Sequence, residues 1–235
     1  MLICGWNKTT LLDYPEHVAA TLFTGGCNFR CPFCHNRDLV TGQAAGNEIK
    51  EEQVWRFLEK RKGILQGVCI TGGEPTLQPD LPEFIAGIKK LGYKVKLDTN
   101  GYRPEVLKGL LEKGLPDYVA MDIKASEKNY ARVAGLDREG CHFDIVPIKE
   151  SVEILKRGTI PYEFRTTVVK GLHTTEEFED IGKWLQGARA YYLQAYRENE
   201  NVLCPGFDTF APEEMEEMRR IVSGYVRYAA LRGVE

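Results

Sequence analysis

Hydrophobic and polar positions alternate along the chain between two periods. Short apolar or β-branched runs at "VAATLF" (18–23), "GVCIT" (67–71), "YKVKLDT" (93–99), "DYVAMDIK" (117–124), "YEFRTTVV" (162–169) and "AYYLQAY" (190–196) predict six strands. Between them the period lengthens to that of a helix. "EEQVWRFLEKRKG" (51–63) sets Val54, Phe57 and Leu58 on one face, and "LPEFIAGIKKLG" ends at Gly92. "RPEVLKGLLEKG" carries Pro104 near its start and Gly114 after its end. Further helices are predicted around 150–157 and over "TTEEFEDIGKWLQG" (174–187). In the last segment, "APEEMEEMRRIVSGYVRYAALRG", Met215, Met218, Ile221, Val222 and Tyr225 form a packing face, which predicts a docked C-terminal helix. Residues 125–149 are the least periodic stretch and read as a long connection after a strand.

Strands alternating with helices imply an α/β fold with parallel pairing through right-handed crossovers, either an open sheet or a curved barrel. The polar residues favour the barrel. Thr71-Gly72-Gly73-Glu74, Asp98-Thr99-Asn100, Asp122 with Lys124, Arg165 and Gln194 fall at or just past the C-terminal ends of predicted strands, where parallel α/β folds build their sites. Any one of them alone reads as a turn or capping residue; five strand ends in succession argue for a site. No linker, short repeat or low-complexity tract divides the sequence, so a single domain over 1–235 is expected.

Composition narrows the function classes. Lysine and arginine total 31 against 34 acidic residues, a formal charge of −3, so no global basic signature points to nucleic acid or an anionic membrane. The N-terminal residues lack a basic region followed by an apolar stretch, and no apolar run approaches membrane-spanning length, which predicts a cytoplasmic protein. Seven cysteines without an export signal argue against a disulfide framework and leave thiols available as ligands. Cys4, Cys69, Cys141 and Cys204 are scattered and receive no role.

The other three are not scattered. "GGCNFRCPFCHN" (25–36) places Cys27, Cys31 and Cys34 in a C-x₃-C-x₂-C loop after a strand, a spacing that lets three sulfurs converge on one inorganic centre. A structural zinc wants four ligands, and adjacent Cys34 and His35 reach one tetrahedral ion with difficulty. Ordinary ferredoxin clusters also use four thiolates. Three thiolates on a cubane leave one iron unligated by protein and open to a substrate or cofactor. A zinc- or cluster-binding protein without catalysis is the alternative class.

"CNFRCPFC" resembles the cluster loop of the radical S-adenosylmethionine enzymes, C-x₃-C-x-aromatic-C, with Phe33 as the aromatic residue. "TGGEP" (71–75), "DTNG" (98–101) and "MDIK" (121–124) occur in that family's order. Cys34-His35-Asn36 is similar to the glycyl-radical-enzyme activase branch, and "LLDYPEHVAATLFTGGCNFRCPFCHN" with "EFRTTVVKGLH" to the short activases of anaerobic ribonucleoside-triphosphate reductases.

The resemblance implies a partial (βα)₆ barrel, a [4Fe–4S] cluster on Cys27, Cys31 and Cys34, and reductive cleavage of S-adenosylmethionine to a 5′-deoxyadenosyl radical that takes hydrogen from a glycine of a partner enzyme. It further implies that Gly72 and Gly73 admit backbone close to the methionyl ammonium, with Glu74 as an acceptor. Lys124 and Arg165 would offer cations to the methionyl carboxylate, Asp98, Asn100 and Gln194 ribose or methionyl contacts, and Phe33 a surface for adenine. A small monovalent cation near Asp98, Thr99 and Asp122 and a flavodoxin- or ferredoxin-type electron donor belong to the same expectation. "LDYPEH" and "LQAYR" stand where pyruvate formate-lyase activases usually carry Asp-Gly-Pro-Gly and Pro-Tyr-His, pointing away from that partner. With about six strands and little beyond them to roof a barrel, a laterally open mouth suits a protein loop; the alternatives are another glycyl-radical enzyme such as pyruvate formate-lyase as partner, or a small molecule or peptide as substrate.

Overall fold

The computed structural model describes residues 1–42, 46 and 48–234. Its strands are β1 (Ile3–Thr10), β2 (Ala19–Thr24), β3 (Gly67–Gly72), β4 (Lys94–Thr99), β5 (Tyr118–Asp122), β6 (Tyr162–Val168), β7 (Tyr191–Ala195) and β8 (Ala229–Arg232), ordered along the sheet as in the chain. The helices are α1 (Arg37–Thr41), α2 (Glu51–Lys60), α3 (Leu81–Lys90), α4 (Pro104–Glu112), α5 (Tyr130–Val133), α6 (Val146–Arg157), α7 (Glu177–Trp184) and α8 (Pro212–Ser223). The fold class is α/β, as expected. The chain divides into two compact units, Met1–Asn28 with Asp38–Ala120 and Phe29–Arg37 with Met121–Glu235.

In the first unit β1 lies antiparallel on β2, which continues in parallel to β3 and then β4. Five of the six β2 residues are buried, as a parallel strand covered on both faces requires. Leu81, Phe84, Ile85 and Ile88 of α3 form the buried stripe that the sequence period predicts, and the helix is started by Pro82 and followed by Gly92 at φ +91°. Trp55 of α2 crosses Phe84 with ring centroids 4.7 Å apart and lies over Gly87, which leaves room for the indole.

In the second unit β6, β7 and β8 pair in parallel. Phe178 and Ile181 of α7 and Met215, Met218 and Val222 of α8 are fully buried. The C-terminal segment departs from expectation: α8 ends at Ser223, and the chain then turns and enters β8 in place of continuing as helix. Tyr225, predicted on the helical face, instead lies against Gly182 of α7, where any Cβ would clash with its ring. The six expected strands are β2 to β7, and β1 and β8 add one at each end of the sheet order.

Candidate active site

The first unit gathers the T-G-G-E motif, the end of β4 and Cys27. After β3 the chain passes so close to residues 24–26 that side chains are excluded. A Cβ at Gly72, which sits at φ +119°, would overlap the Thr24 backbone, and one at Gly73 would overlap the Gly26 carbonyl oxygen. That closeness forms two hydrogen bonds, Gly73 N–H to the Thr24 carbonyl and Glu74 N–H to the Gly26 carbonyl, both 2.8 Å. The strand end is thereby tied to the residues just before Cys27.

Glu74 is buried, and its carboxylate is engaged within the protein. Oε1 accepts from Thr76 N–H (3.1 Å), the Thr76 hydroxyl (2.6 Å) and the Thr99 hydroxyl (2.7 Å), while Oε2 accepts from Asn100 N–H (2.7 Å). Burial raises its carboxyl above the ordinary value and these four bonds oppose the rise. As built, Glu74 joins the ends of β3 and β4; the direct acceptor role expected from sequence is not the one its present bonds describe. Asn100 extends the chain of bonds. Its Nδ2 donates to Asn28 Oδ1 at 2.7 Å and lies 4.0 Å from Cys27 Sγ. Asp98 pairs with the buried Lys96 ammonium, which also approaches Cys69 Sγ at 3.8 Å.

The second unit brings together a charged trio. Lys124 Nζ is 3.0 Å from Asp122 Oδ2, and Arg165 places Nε and Nη2 each 2.9 Å from Oδ1. Burial pushes the Asp122 carboxyl up, but the charges of Arg165 and Lys124 outweigh it and hold it down at about 2. Burial disfavours the Lys124 ammonium, and the Asp122 charge reverses the balance and raises it, with Cys31 the next charge it feels. Two cations on one carboxylate leave the trio net positive. The backbone beneath Lys124 is fixed by groups that sequence reasoning missed. His173 Nε2 donates to the Lys124 carbonyl (2.8 Å), and Glu177 Oε1 accepts from the N–H (2.8 Å) and hydroxyl (2.7 Å) of Ser126.

Cys31 is buried, Cys34 half-buried, and Phe33 between them is core. Their segment is strapped to the residues after β7. Leu203 N–H donates to the Cys34 carbonyl (2.9 Å) and Cys204 N–H to the Pro32 carbonyl (2.7 Å). His35 stacks on Tyr196, centroids 5.5 Å apart and planes 5° from parallel, and its Nε2 donates to the Arg197 carbonyl at 2.7 Å. Gln194 lies in β7, in register with Thr167 and Arg232 and outside the charged trio.

Among the described residues no group of three or more His, Cys, Asp and Glu side chains is already arranged to hold a metal ion. The donor chemistry nevertheless fits an iron–sulfur cluster: none of the seven cysteines is in a disulfide, two of the three loop thiols are partly open, and beside Cys27 the buried Asn28 Nδ2 is a donor lacking a partner among the described residues. The family model for the radical SAM superfamily matches residues 21–185, most of the chain. The chain belongs to the radical SAM superfamily.

Radical SAM membership implies a [4Fe–4S] cluster and S-adenosylmethionine. Over 237 residues the chain is 29% identical to a Methanocaldococcus jannaschii protein named, provisionally, a glycyl-radical enzyme activating enzyme, covering 99% of this chain and 96% of that one. A Thermococcus kodakarensis protein named, also provisionally, a GTP 3′,8-cyclase is 35% identical over 164 residues, 67% of this chain and 50% of the cyclase. Among solved structures, a radical SAM methyltransferase from Sphaerobacter thermophilus shares the fold with a TM-score of 0.69 at 16% identity, covering 93% of this chain and 67% of that one. No helix among the described residues is long and apolar enough to cross a membrane.

Proposed function

We propose that this radical SAM protein is a glycyl-radical-enzyme activase, with an anaerobic ribonucleoside-triphosphate reductase as the favoured partner and a backbone glycine of that partner as the source of the abstracted hydrogen. The observation that carries the proposal is the end-to-end match to the M. jannaschii protein, which leaves almost no part of either chain unaccounted for. The cyclase match favours a small-molecule reaction as the second reading, but it extends over half of that enzyme.

When bound, the cluster and S-adenosylmethionine supply one-electron cleavage of the sulfonium C–S bond, leaving methionine and a 5′-deoxyadenosyl radical. Cys27, Cys31 and Cys34 would hold the cluster, and a flavodoxin- or ferredoxin-type protein would deliver the electron. The net positive trio of Asp122, Lys124 and Arg165 suits the methionyl carboxylate, with Asp122 fixing both cations in place. Gly72 and Gly73 expose backbone, Glu74 sets Thr99 and Asn100, and Asp98, Gln194 and Phe33 stand as candidate nucleoside contacts. No small cation is included, because Asp98 is already paired with Lys96 and Asp122 with Lys124 and Arg165.

The test is anaerobic mixing of the reduced protein, S-adenosylmethionine and candidate glycyl-radical enzymes, followed by electron paramagnetic resonance. A glycyl doublet on the reductase is expected. Vigorous cofactor cleavage with no doublet on any candidate would sink the activase proposal and leave the radical chemistry standing.

A further inference from the structure

The hydrogen-bond chain from β4 to Cys27 fixes which way two side-chain amides face. Tyr102 N–H donates to one end of the Asn100 side chain at 3.0 Å, so that end is the oxygen, Oδ1. The other end is therefore an NH₂ group. It donates to Asn28 at 2.7 Å, so the atom it meets is Asn28 Oδ1. What remains of the Asn28 amide is its own NH₂, and this donor is buried with no partner among the described residues. A flip of Asn28 that gave its NH₂ to Asn100 would set two donors against each other. A buried amide donor is ordinarily met, so the arrangement leaves Asn28 Nδ2 directed to an acceptor outside the described residues.

Cys27 is the residue immediately before, with Sγ 4.0 Å from Asn28 Oδ1 and from Asn100 Nδ2. We infer that the Asn28 side-chain amide is oriented by Asn100 to donate a hydrogen bond to a sulfur of the centre that Cys27 ligates, and so sets its reduction potential. The inference rests on reading Cys27 as a cluster ligand. Reduction adds negative charge to the sulfurs, so a donated hydrogen bond favours the reduced state and raises the potential. Backbone amides at Gly73 and Glu74 are committed to Thr24 and Gly26 and leave this task to the side chain.

Two measurements test it. In the reconstituted protein carrying ¹⁵N-amide asparagine, electron–nuclear double resonance of the reduced cluster should show a coupled nitrogen that disappears in Asn28→Ala. Asn28→Asp keeps the oxygen that accepts from Asn100 and replaces the donor by an acceptor. It should lower the reduced-to-oxidised ratio at a fixed poise at least tenfold, about 59 mV for a one-electron couple. Coupling to exchangeable solvent deuterons without any ¹⁵N coupling would assign the contact to a bound water and overturn the inference, as would an unchanged potential in Asn28→Asp. A coupled nitrogen that survives in Asn28→Ala belongs to Asn100, whose Nδ2 lies 4.0 Å from Cys27 Sγ, and overturns the inference, as does a wild-type spectrum with no coupled nitrogen whether or not a variant folds. A chain that takes up no iron and sulfide removes the cluster reading and this inference together, whereas a cluster without the coupling removes the inference alone.

Discussion

At Asp122 a single carboxylate decides the charge of its surroundings. Its carboxyl is lowered from an ordinary 3.8 to about 2 because Arg165 and Lys124 outweigh the effect of burial. A folded-state value below the unfolded one means stability that is fully present above about pH 4 and disappears as the pH falls through about 2. The drop corresponds to about 2 kcal/mol. Unfolding free energies of the wild type and Asp122→Asn, from urea titrations between pH 2 and 7, should differ by about that amount at neutral pH and converge at the acid end. A gap that stayed constant through pH 2 would show that Asp122 acts through packing and not through charge. Residues of this kind were legible in the sequence as polar groups at strand ends, but their pairings were not. Glu74 and Asn100 were read as groups facing a cofactor, whereas the bonds they make are to Thr76, Thr99, Asn28 and Tyr102, partners that only the folded chain brings within reach. Asn28 gave no signal at all, because an asparagine between two cysteines of a motif looks like spacer until its amide is seen to be oriented.

Elements were legible in proportion to how completely they are buried. β2 and β3 are largely apolar and mostly buried, β4 buries Val95 and Leu97 in alternation with Lys96 and Asp98, and the period of α3 coincides with its buried stripe. β1 and β8 escaped notice for the opposite reason. β1 has one fully buried residue among eight and carries Asn7 and Lys8, while the four residues of β8 are all half-buried and follow a helix whose apolar spacing runs on into Tyr225. The strap after β7 was invisible too, since "RENENVLC" has neither period and is held by its backbone. His35 is one side chain that fastens it. One hydrogen bond and one ring stack are together worth about 1–2 kcal/mol, roughly a tenfold change in local opening. His35→Ala should therefore still assemble the cluster, yet speed amide exchange at Leu203 and Cys204 about tenfold and leave Phe164, bonded to the Ala190 carbonyl, unaffected. Tyr196→Phe keeps the stack and should leave that exchange as in the wild type or slower, because the buried hydroxyl it deletes makes no hydrogen bond among the described residues. Unchanged exchange in His35→Ala would mean that the Leu203 and Cys204 bonds hold the strap without it.

For the whole molecule, the decisive property is which of the seven cysteines, none in a disulfide, bind iron. Family membership implies a [4Fe–4S] cluster, and we propose that the C-x₃-C-x₂-C loop supplies its three thiolates and leaves one iron to the cofactor. The remaining four have environments unlike that loop. Cys69 is fully buried on β3 against Lys96, Cys4 is half-buried on β1 with its thiol raised by burial, and Cys141 and Cys204 are exposed. Replacing Cys27, Cys31 or Cys34 singly by alanine should abolish the cluster absorbance and all S-adenosylmethionine cleavage. Replacing Cys4, Cys141 or Cys204 should change neither, and Cys69→Ala should cost stability while the iron and sulfide content stays that of the wild type. Metal analysis after anaerobic reconstitution separates this from the non-catalytic alternative, because a zinc-binding protein would return zinc with no acid-labile sulfide and would lose its metal in His35→Ala as readily as in Cys34→Ala. Retention of iron and sulfide in Cys34→Ala together with their loss in His35→Ala would refute the three-thiolate assignment.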